Sequence, residues 1–182
     1  MIKDGWITSA KKQLSQHFNE RPANKAVSLL VIHNISLPPG EFGNQYVEDF
    51  FCDKLDCDLH PYFESIKELR VSSHLFIKRD GQLIQFVDLN KRAWHAGESS
   101  FNGQINCNDF SVGIELEGTD DLAYTDAQYE ALTQVTKELM DYFPYLTLDN
   151  IVGHCHIAPE RKSDPGESFD WQRFRDDLLN LS

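Results

Sequence analysis

Apolar and polar positions alternate with two distinct periods along this chain, and the switches between them mark its elements. Val27-Ser28-Leu29-Leu30-Val31-Ile32-His33-Asn34 is a nearly continuous run of β-branched and leucine residues, too short for a good helix, and predicts a central strand. Leu37-Pro38-Pro39-Gly40 breaks the chain. Residues 41–66 then form a long polar and aromatic excursion with helices expected around 45–56 and 61–69, a plausible wall or lid for a site. His74 to Arg79 and Gln82 to Val87 flank Asp80-Gly81, which predicts a hairpin closed by a two-residue turn. Phe110 to Glu117 has the period of two. Phe110, Val112, Ile114 and Leu116 are expected on one face, with Ser111, Gly113, Glu115 and Glu117 on the other.

The period lengthens after that strand. Thr125-Asp126-Ala127-Gln128 reads as a capping box opening a helix, with Leu132, Val135, Leu139 and Tyr142 at helical spacing and Pro144 as its stop. Residues 147–153 predict a last strand, and Asp170 to Leu179 a closing helix. Interleaved strands and helices, with no repeat or linker, give one α/β (mixed α+β) domain over residues 1–182, a central mixed sheet flanked by helices.

Composition narrows the function classes. A chain of 182 residues buries about 70% of its unfolded surface and needs no disulfide staples. With 29 acidic against 17 basic residues, a general nucleic-acid or anionic-membrane binder is excluded, because such proteins need a positive field. No secretory h-region and no run approaching the ~18 apolar residues of a membrane span is seen, so a cytoplasmic protein is expected. Cys52, Cys57, Cys107 and Cys155 show no CxxC spacing and are read as free thiols of a reducing compartment.

The candidate chemistry begins with His33, His154 and Asp164, each placed where a strand runs out into a loop. Two imidazoles and a carboxylate could hold one zinc ion and leave a fourth position for water, the pattern of a hydrolytic rather than a structural centre. Pro159, Pro165 and Gly166 bend the intervening loop and could return Asp164 to the metal. Lys162, two residues earlier, could face the same side and stabilise an oxyanion. Glu115 could act as general base, but Glu117 shares its face and alternation cannot choose between them. His74 and His95 are by default satisfied core or loop histidines, and Trp94 either packs the core or offers a flat surface to a sugar ring. Within an extended strand, Cys155 and His156 are expected to alternate, Cys155 turning inward and His156 not serving as a ligand. His17 and His60 have no partner that the sequence names.

Val31-Ile32-His33-Asn34-Ile35-Ser36, Ala93-Trp94-His95-Ala96-Gly97, Gly113-Ile114-Glu115-Leu116-Glu117-Gly118 and the stretch from Gly153 to Gly166 together resemble the type 2 N-acetylmuramoyl-L-alanine amidases. The likeness is to the branch that acts on 1,6-anhydro-muropeptides in cytosolic cell-wall recycling, and it runs from Gly5-Trp6 to Phe169-Asp170-Trp171. It implies the fold that these amidases share with phage amidase-type lysozymes and peptidoglycan recognition proteins, with a catalytic core over about 27–167. It implies His33, His154 and Asp164 as zinc ligands, Glu115 as general base and Lys162 as transition-state stabiliser. It makes Asn34, Arg70, Trp94, His95 and Arg161 candidates for holding sugar and peptide. A basic residue is implied at 106, where this chain has Asn106. The implied reaction is hydrolysis of the amide between the muramyl lactyl group and L-alanine. Its substrates are small soluble anhydro-muropeptides, and no obligate protein partner is implied. A non-catalytic muropeptide binder and a wall-lytic phage-type amidase are the rival readings. A zinc peptidase of another lineage would carry HExxH, which is not present.

Overall fold

The structure is a computed structural model and describes residues 1–181. Its central sheet has six strands: β1 (Lys11–Lys12), β2 (Leu29–Ile35), β3 (Leu75–Ile77), β4 (Leu83–Gln85), β5 (Ser111–Glu117) and β6 (Ile151–Gly153). Their spatial order is β6-β2-β5-β3-β4-β1. The pairs β6–β2, β2–β5 and β5–β3 are parallel, whereas β3–β4 is an antiparallel hairpin. Apolar runs with no polar face belong in such a sheet, because helices and loops cover both sides. All seven residues of β5 are buried, as are the first five of β2. The parallel pairing also brings the carboxyl ends of β6, β2 and β5 side by side. The predicted mixed sheet with flanking helices is what forms.

On one side Leu30, Ile32, Val112, Ile114 and Leu116 pack against Leu132, Val135 and Leu139 of α3 (Asp126–Tyr142) and Phe174 and Leu178 of α5 (Trp171–Asn180). Burying each such side chain contributes about 1.5–3 kcal/mol. Leu29 and Val31 face the opposite side with Ala96, Cys107 and Ile157. Phe110 joins that second group, against the expectation that it shares a face with Val112. The strand begins only at Ser111, and Phe110 lies at φ −132 and ψ 16, outside the alternating register. A third cluster holds the excursion, where Phe50, Phe51 and Phe63 pack on Phe76 and Phe86.

The predicted capping box is present: Thr125 Oγ1 accepts from the Gln128 N–H, and Gln128 Oε1 from the Thr125 N–H, both at 3.1 Å. Gln128 Nε2 also donates to the Glu117 carbonyl at 2.9 Å, so the helix start is fastened to the end of β5. Other boundaries move. The excursion helices shorten to α1 (Tyr46–Phe51) and α2 (Pro61–Glu64), and Asp53 at φ 56 ends the first turn of chain after α1. The hairpin loop holds three residues rather than two. Lys78 N–H donates to the Gln82 carbonyl and Gly81 N–H to the Lys78 carbonyl, with Gly81 in the left-handed region at φ +84. The last strand starts at Ile151, because Leu148–Asn150 forms a helical turn. All four cysteines are free thiols. Among the described residues no helix is long and apolar enough to cross a membrane.

Candidate metal centre and cleft

His33 projects from the carboxyl end of β2, in direct register with Glu115 on β5. His154 follows β6 but belongs to a short helix, α4 (His154–Ile157), not to the tail of the strand. That change of period corrects the alternation argument for Cys155, which is only half-buried. His156 instead closes the turn, its Nδ1 accepting the Gly153 N–H at 2.8 Å. Asp164 is brought back by its own backbone, since the Cys155 N–H donates to the Asp164 carbonyl at 3.0 Å. Gly153 permits this return: a Cβ there would stand 2.6 Å from Pro165 Cδ. Tyr124 completes the anchor by donating its hydroxyl to the Pro165 carbonyl at 2.7 Å.

The three predicted ligands converge. His33 Nδ1 lies 3.0 Å from His154 Nδ1 and 3.0 Å from Asp164 Oδ2, and His154 Nδ1 lies 3.1 Å from the same oxygen. Proton bookkeeping tests whether a cation fits this triangle. His154 Nε2 faces the Ala96 carbonyl at 3.0 Å, an acceptor only, so Nε2 carries the proton and Nδ1 is a bare lone pair. That lone pair therefore meets a carboxylate oxygen with no proton of its own between them. His33 Nε2 lies 2.9 Å from His95 Nδ1, and His95 Nε2 lies 3.0 Å from Ser111 Oγ, a chain able to carry the His33 proton on its outer nitrogen. Burial holds His33 down, to about 4, so it stays neutral at pH 7. Burial alone would raise Asp164, but the closeness of the His154 and His33 rings outweighs it and keeps the carboxyl well below its ordinary range. Two imidazole nitrogens and an ionised carboxylate oxygen on one small triangle suit a divalent cation with an open vertex.

The two glutamates left open by alternation differ sharply here. Glu117 is fully engaged, Oε1 accepting the Gly43 N–H at 2.6 Å and Oε2 the Arg79 N–H at 2.9 Å. Glu115 lines the cleft and is buried, and its Oε2 has no hydrogen-bond partner. Burial, reinforced by the nearby Asp164 charge and opposed by Lys162, pushes the Glu115 carboxyl well above its ordinary range. A carboxyl raised in this way is a stronger base than an exposed one and can take a proton and return it. Lys162 is exposed on the same cleft, close enough for its charge to act on both Glu115 and His33.

The cleft encloses about 910 Å³ and is lined by Asn34, Arg70, Trp94, His95, Arg161 and Lys162, among others. Asn34 Nδ2 donates to Asp120 Oδ1 at 2.8 Å, and Trp94 Nε1 to Asn19 Oδ1 at 3.0 Å. Arg161 Nη2 donates to the Ala96 and Glu98 carbonyls at 2.8 and 2.7 Å. Arg70 is half exposed, its Nε 3.7 Å from Asp53 Oδ1. The lining includes Asn108 and not Asn106, which is exposed at φ 60 before the turn Cys107–Asp109.

The remaining histidines are structural in their contacts. His74 Nδ1 accepts the Gly113 N–H at 3.1 Å and its Nε2 donates to the Lys91 carbonyl at 3.0 Å, while burial lowers it to about 3. His60 Nδ1 caps α2 through the Tyr62 N–H. His17 reaches the Val71 carbonyl and Asp53. Sequence reasoning missed Asn108, Ser111 and Asp120, isolated polar residues whose partners lie far along the chain.

The N-acetylmuramoyl-L-alanine amidase family profile matches residues 23–167. The 1,6-anhydro-N-acetylmuramyl-L-alanine amidase AmpD of Citrobacter freundii is 55% identical over 175 residues, covering 96% of this chain and 93% of the relative. A crystal structure of a selenomethionine AmpD derivative superposes with a TM-score of 0.95 at 54% identity, covering 98% of this chain and 99% of that one. The Escherichia coli amidase AmiD, solved with the substrate anhydro-N-acetylmuramic acid-L-Ala-D-γ-Glu-L-Lys, gives a TM-score of 0.61 at 26% identity, covering 90% of this chain and 66% of that one. With a profile match over most of its length and more than half of its residues shared with AmpD, this chain belongs to the N-acetylmuramoyl-L-alanine amidase family.

Proposed function

We propose that this protein is a zinc-dependent amidase that cleaves the bond between the lactyl group of 1,6-anhydro-N-acetylmuramic acid and L-alanine in soluble muropeptides. The observation that carries the reading is the His33–His154–Asp164 triangle beside a buried, unpartnered Glu115 carboxyl. The names and substrate of the AmpD and AmiD relatives support the choice of bond and sugar. His33, His154 and Asp164 would hold the zinc. Bound there, zinc would supply Lewis acidity, lowering the pKa of water towards ~7 and polarising a carbonyl.

Glu115 takes the proton of the attacking water and delivers it to the alanine nitrogen as that nitrogen leaves. Lys162 places its ammonium against the charge that develops on the carbonyl oxygen. Arg70 and Arg161 join Lys162 as a local positive patch for the peptide carboxylates, set against a net charge of −12. Asn34 and Trp94 are assigned to the sugar and its neighbouring peptide. His95 shares that wall, but both of its ring nitrogens are engaged, so it offers a substrate only its ring face and carbon edge. Four unpaired cysteines support a reducing cytosol as the place of this reaction, and a role in wall recycling follows from the anhydro sugar.

The test joins metal analysis to hydrolysis. Zinc-loaded protein incubated with 1,6-anhydro-muramyl tripeptide should release free tripeptide, stop after chelation, and recover on adding zinc. Protein that carries zinc but leaves the amide intact, or that cleaves it equally well when stripped, would overturn the reading.

A further inference from the structure

We propose that Asn108 is a positioning residue of the metal centre, acting through the loop Trp94-His95-Ala96-Gly97 to fix the proton-bearing nitrogens of both His33 and His154. The assignment rests on the metal-centre reading above. Asn108 is 6% exposed, and its Oδ1 accepts two successive backbone N–H groups, His95 at 3.2 Å and Ala96 at 2.8 Å. One oxygen taking two neighbouring donors sets the orientation of two consecutive peptides. Those peptides flank His95 and end at the Ala96 Cα, so they seat the His95 ring and the root of the next carbonyl, that of Ala96.

On one side, the Ala96 carbonyl meets His154 Nε2 at 3.0 Å and so dictates which nitrogen is free for a cation. Arg161 Nη2 reaches the same carbonyl and steadies it from outside. On the other side, the His95 ring lies against Gly113, with Nδ1 on His33 Nε2 and Nε2 on Ser111 Oγ. In the tautomer that leaves His33 Nδ1 free, His33 Nε2–H donates to His95 Nδ1 and His95 Nε2–H donates to Ser111 Oγ. Behind this layer the Arg21 guanidinium fixes the backbone of both supports, donating to the Asn108 carbonyl at 2.9 Å and the Ser111 carbonyl at 2.7 Å. Groups that orient ligating histidines commonly set metal affinity by about 10–100-fold.

The experiment compares wild type, Asn108→Ala, Asn108→Asp, Asn108→Ser and Ser111→Ala by two readouts that do not involve catalysis. One is the zinc dissociation constant from competition with a chelator. The other is the ring ¹⁵N spectrum of the metal-free protein, which reports the tautomer of each histidine. Asn108→Ala should weaken zinc by about 10–100-fold and turn the single Nε2–H tautomer of His154 into a mixture. Asn108→Asp keeps the accepting oxygen and should recover most of the affinity. Ser111→Ala should weaken zinc in the same direction through His95, and Asn108→Ser, whose shorter side chain draws its oxygen back from both N–H groups, decides the matter if Asn108→Ala does not fold. Zinc held as tightly by Asn108→Ala as by wild type, with His154 in one tautomer, would overturn the proposal. An unchanged Asn108→Ser, where it has to decide, would do the same, as would a wild type that binds no zinc. A wild type that binds zinc 10–100-fold more tightly than Asn108→Ala supports it even if no muropeptide is cleaved, so this assignment and the amidase reading fail separately.

Discussion

Replacing Gly113 by alanine would test the metal centre from behind, without touching a ligand. Gly113 lies in the extended strand β5, where an alanine backbone is unstrained, so the effect comes from space alone. A Cβ there would stand 2.5 Å from both Cγ and Nδ1 of His95 and 2.8 Å from its Cδ2. Ordinary contact begins near 3.5 Å, so the ring must retreat by about 1 Å. The bond from His95 Nδ1 to His33 Nε2 is 2.9 Å. Directed along that bond, the retreat stretches it to about 3.9 Å, and directed across it, it turns the ring out of line, so either way the hydrogen bond is weakened. His33 then loses the partner that fixes its outer nitrogen, and zinc affinity should fall by about 10–100-fold, or about 1.4–2.7 kcal/mol. Overpacking costs about 1–3 kcal/mol of stability and exceeds the ~0.4–1 kcal/mol gained by stiffening the unfolded chain. The metal-free variant should therefore unfold at lower urea. Chelator competition and urea unfolding measure the two effects separately. Gly113→Ala protein that binds zinc like wild type would refute the link from β5 through His95 to His33.

Lys162→Ala should keep its zinc and lose ~10²–10³ in turnover, about 2.7–4 kcal/mol, as for removal of an oxyanion donor; metal-loaded variant with wild-type turnover would argue against that role. Glu115→Gln should lower turnover by ~10²–10⁴. Glu117→Gln sets an amide NH₂ against a backbone donor and should cost about 1–3 kcal/mol of stability, measured by denaturant unfolding, while an intact fold still turns over. Equal activity losses in the two would overturn the assignment of the proton-transfer role to Glu115 alone. Metal-free protein should also lose stability as pH falls from 6.5 to 5, above the range of ordinary carboxylates. Burial holds His33 at about 4, His74 at about 3 and His95 well below 6.5, so in that window the unfolded chain takes up protons at three rings that the folded chain refuses, more than the one proton that the raised Glu115 carboxyl holds when folded. A melting temperature that stays level across this interval would count against the neutral, buried state of these rings.

Much of the scaffold was legible because its signals are local. The β-branched run before His33, the capping box at Thr125 and the helix opening at Asp170 each depend on neighbours within a turn or a strand. What could not be read depends on partners far along the chain. Alternation put Glu115 and Glu117 on one face, and only the N–H groups of Gly43 and Arg79 set them apart. His154 looked like the tail of a strand until the return of Asp164 drew residues 154–157 into a helical turn, which also explains the misjudged Cys155. Asn108 and Arg21 had no motif to mark them, since a single buried amide or guanidinium gains its meaning from the carbonyls and N–H groups around it.

His33 and His154 stand 121 residues apart in the chain, yet their ring nitrogens meet at one point. A cation seated there acts as a cross-link between β2 and the last third of the polypeptide, and the native state gains RT ln(1 + [M]/Kd). At a free metal concentration one hundred times Kd this is about 2.7 kcal/mol, a large share of an ordinary domain's margin. Under metal starvation the same sequence would populate open forms more often and meet proteases more readily. Its cellular abundance would then follow metal supply before any question of turnover arose.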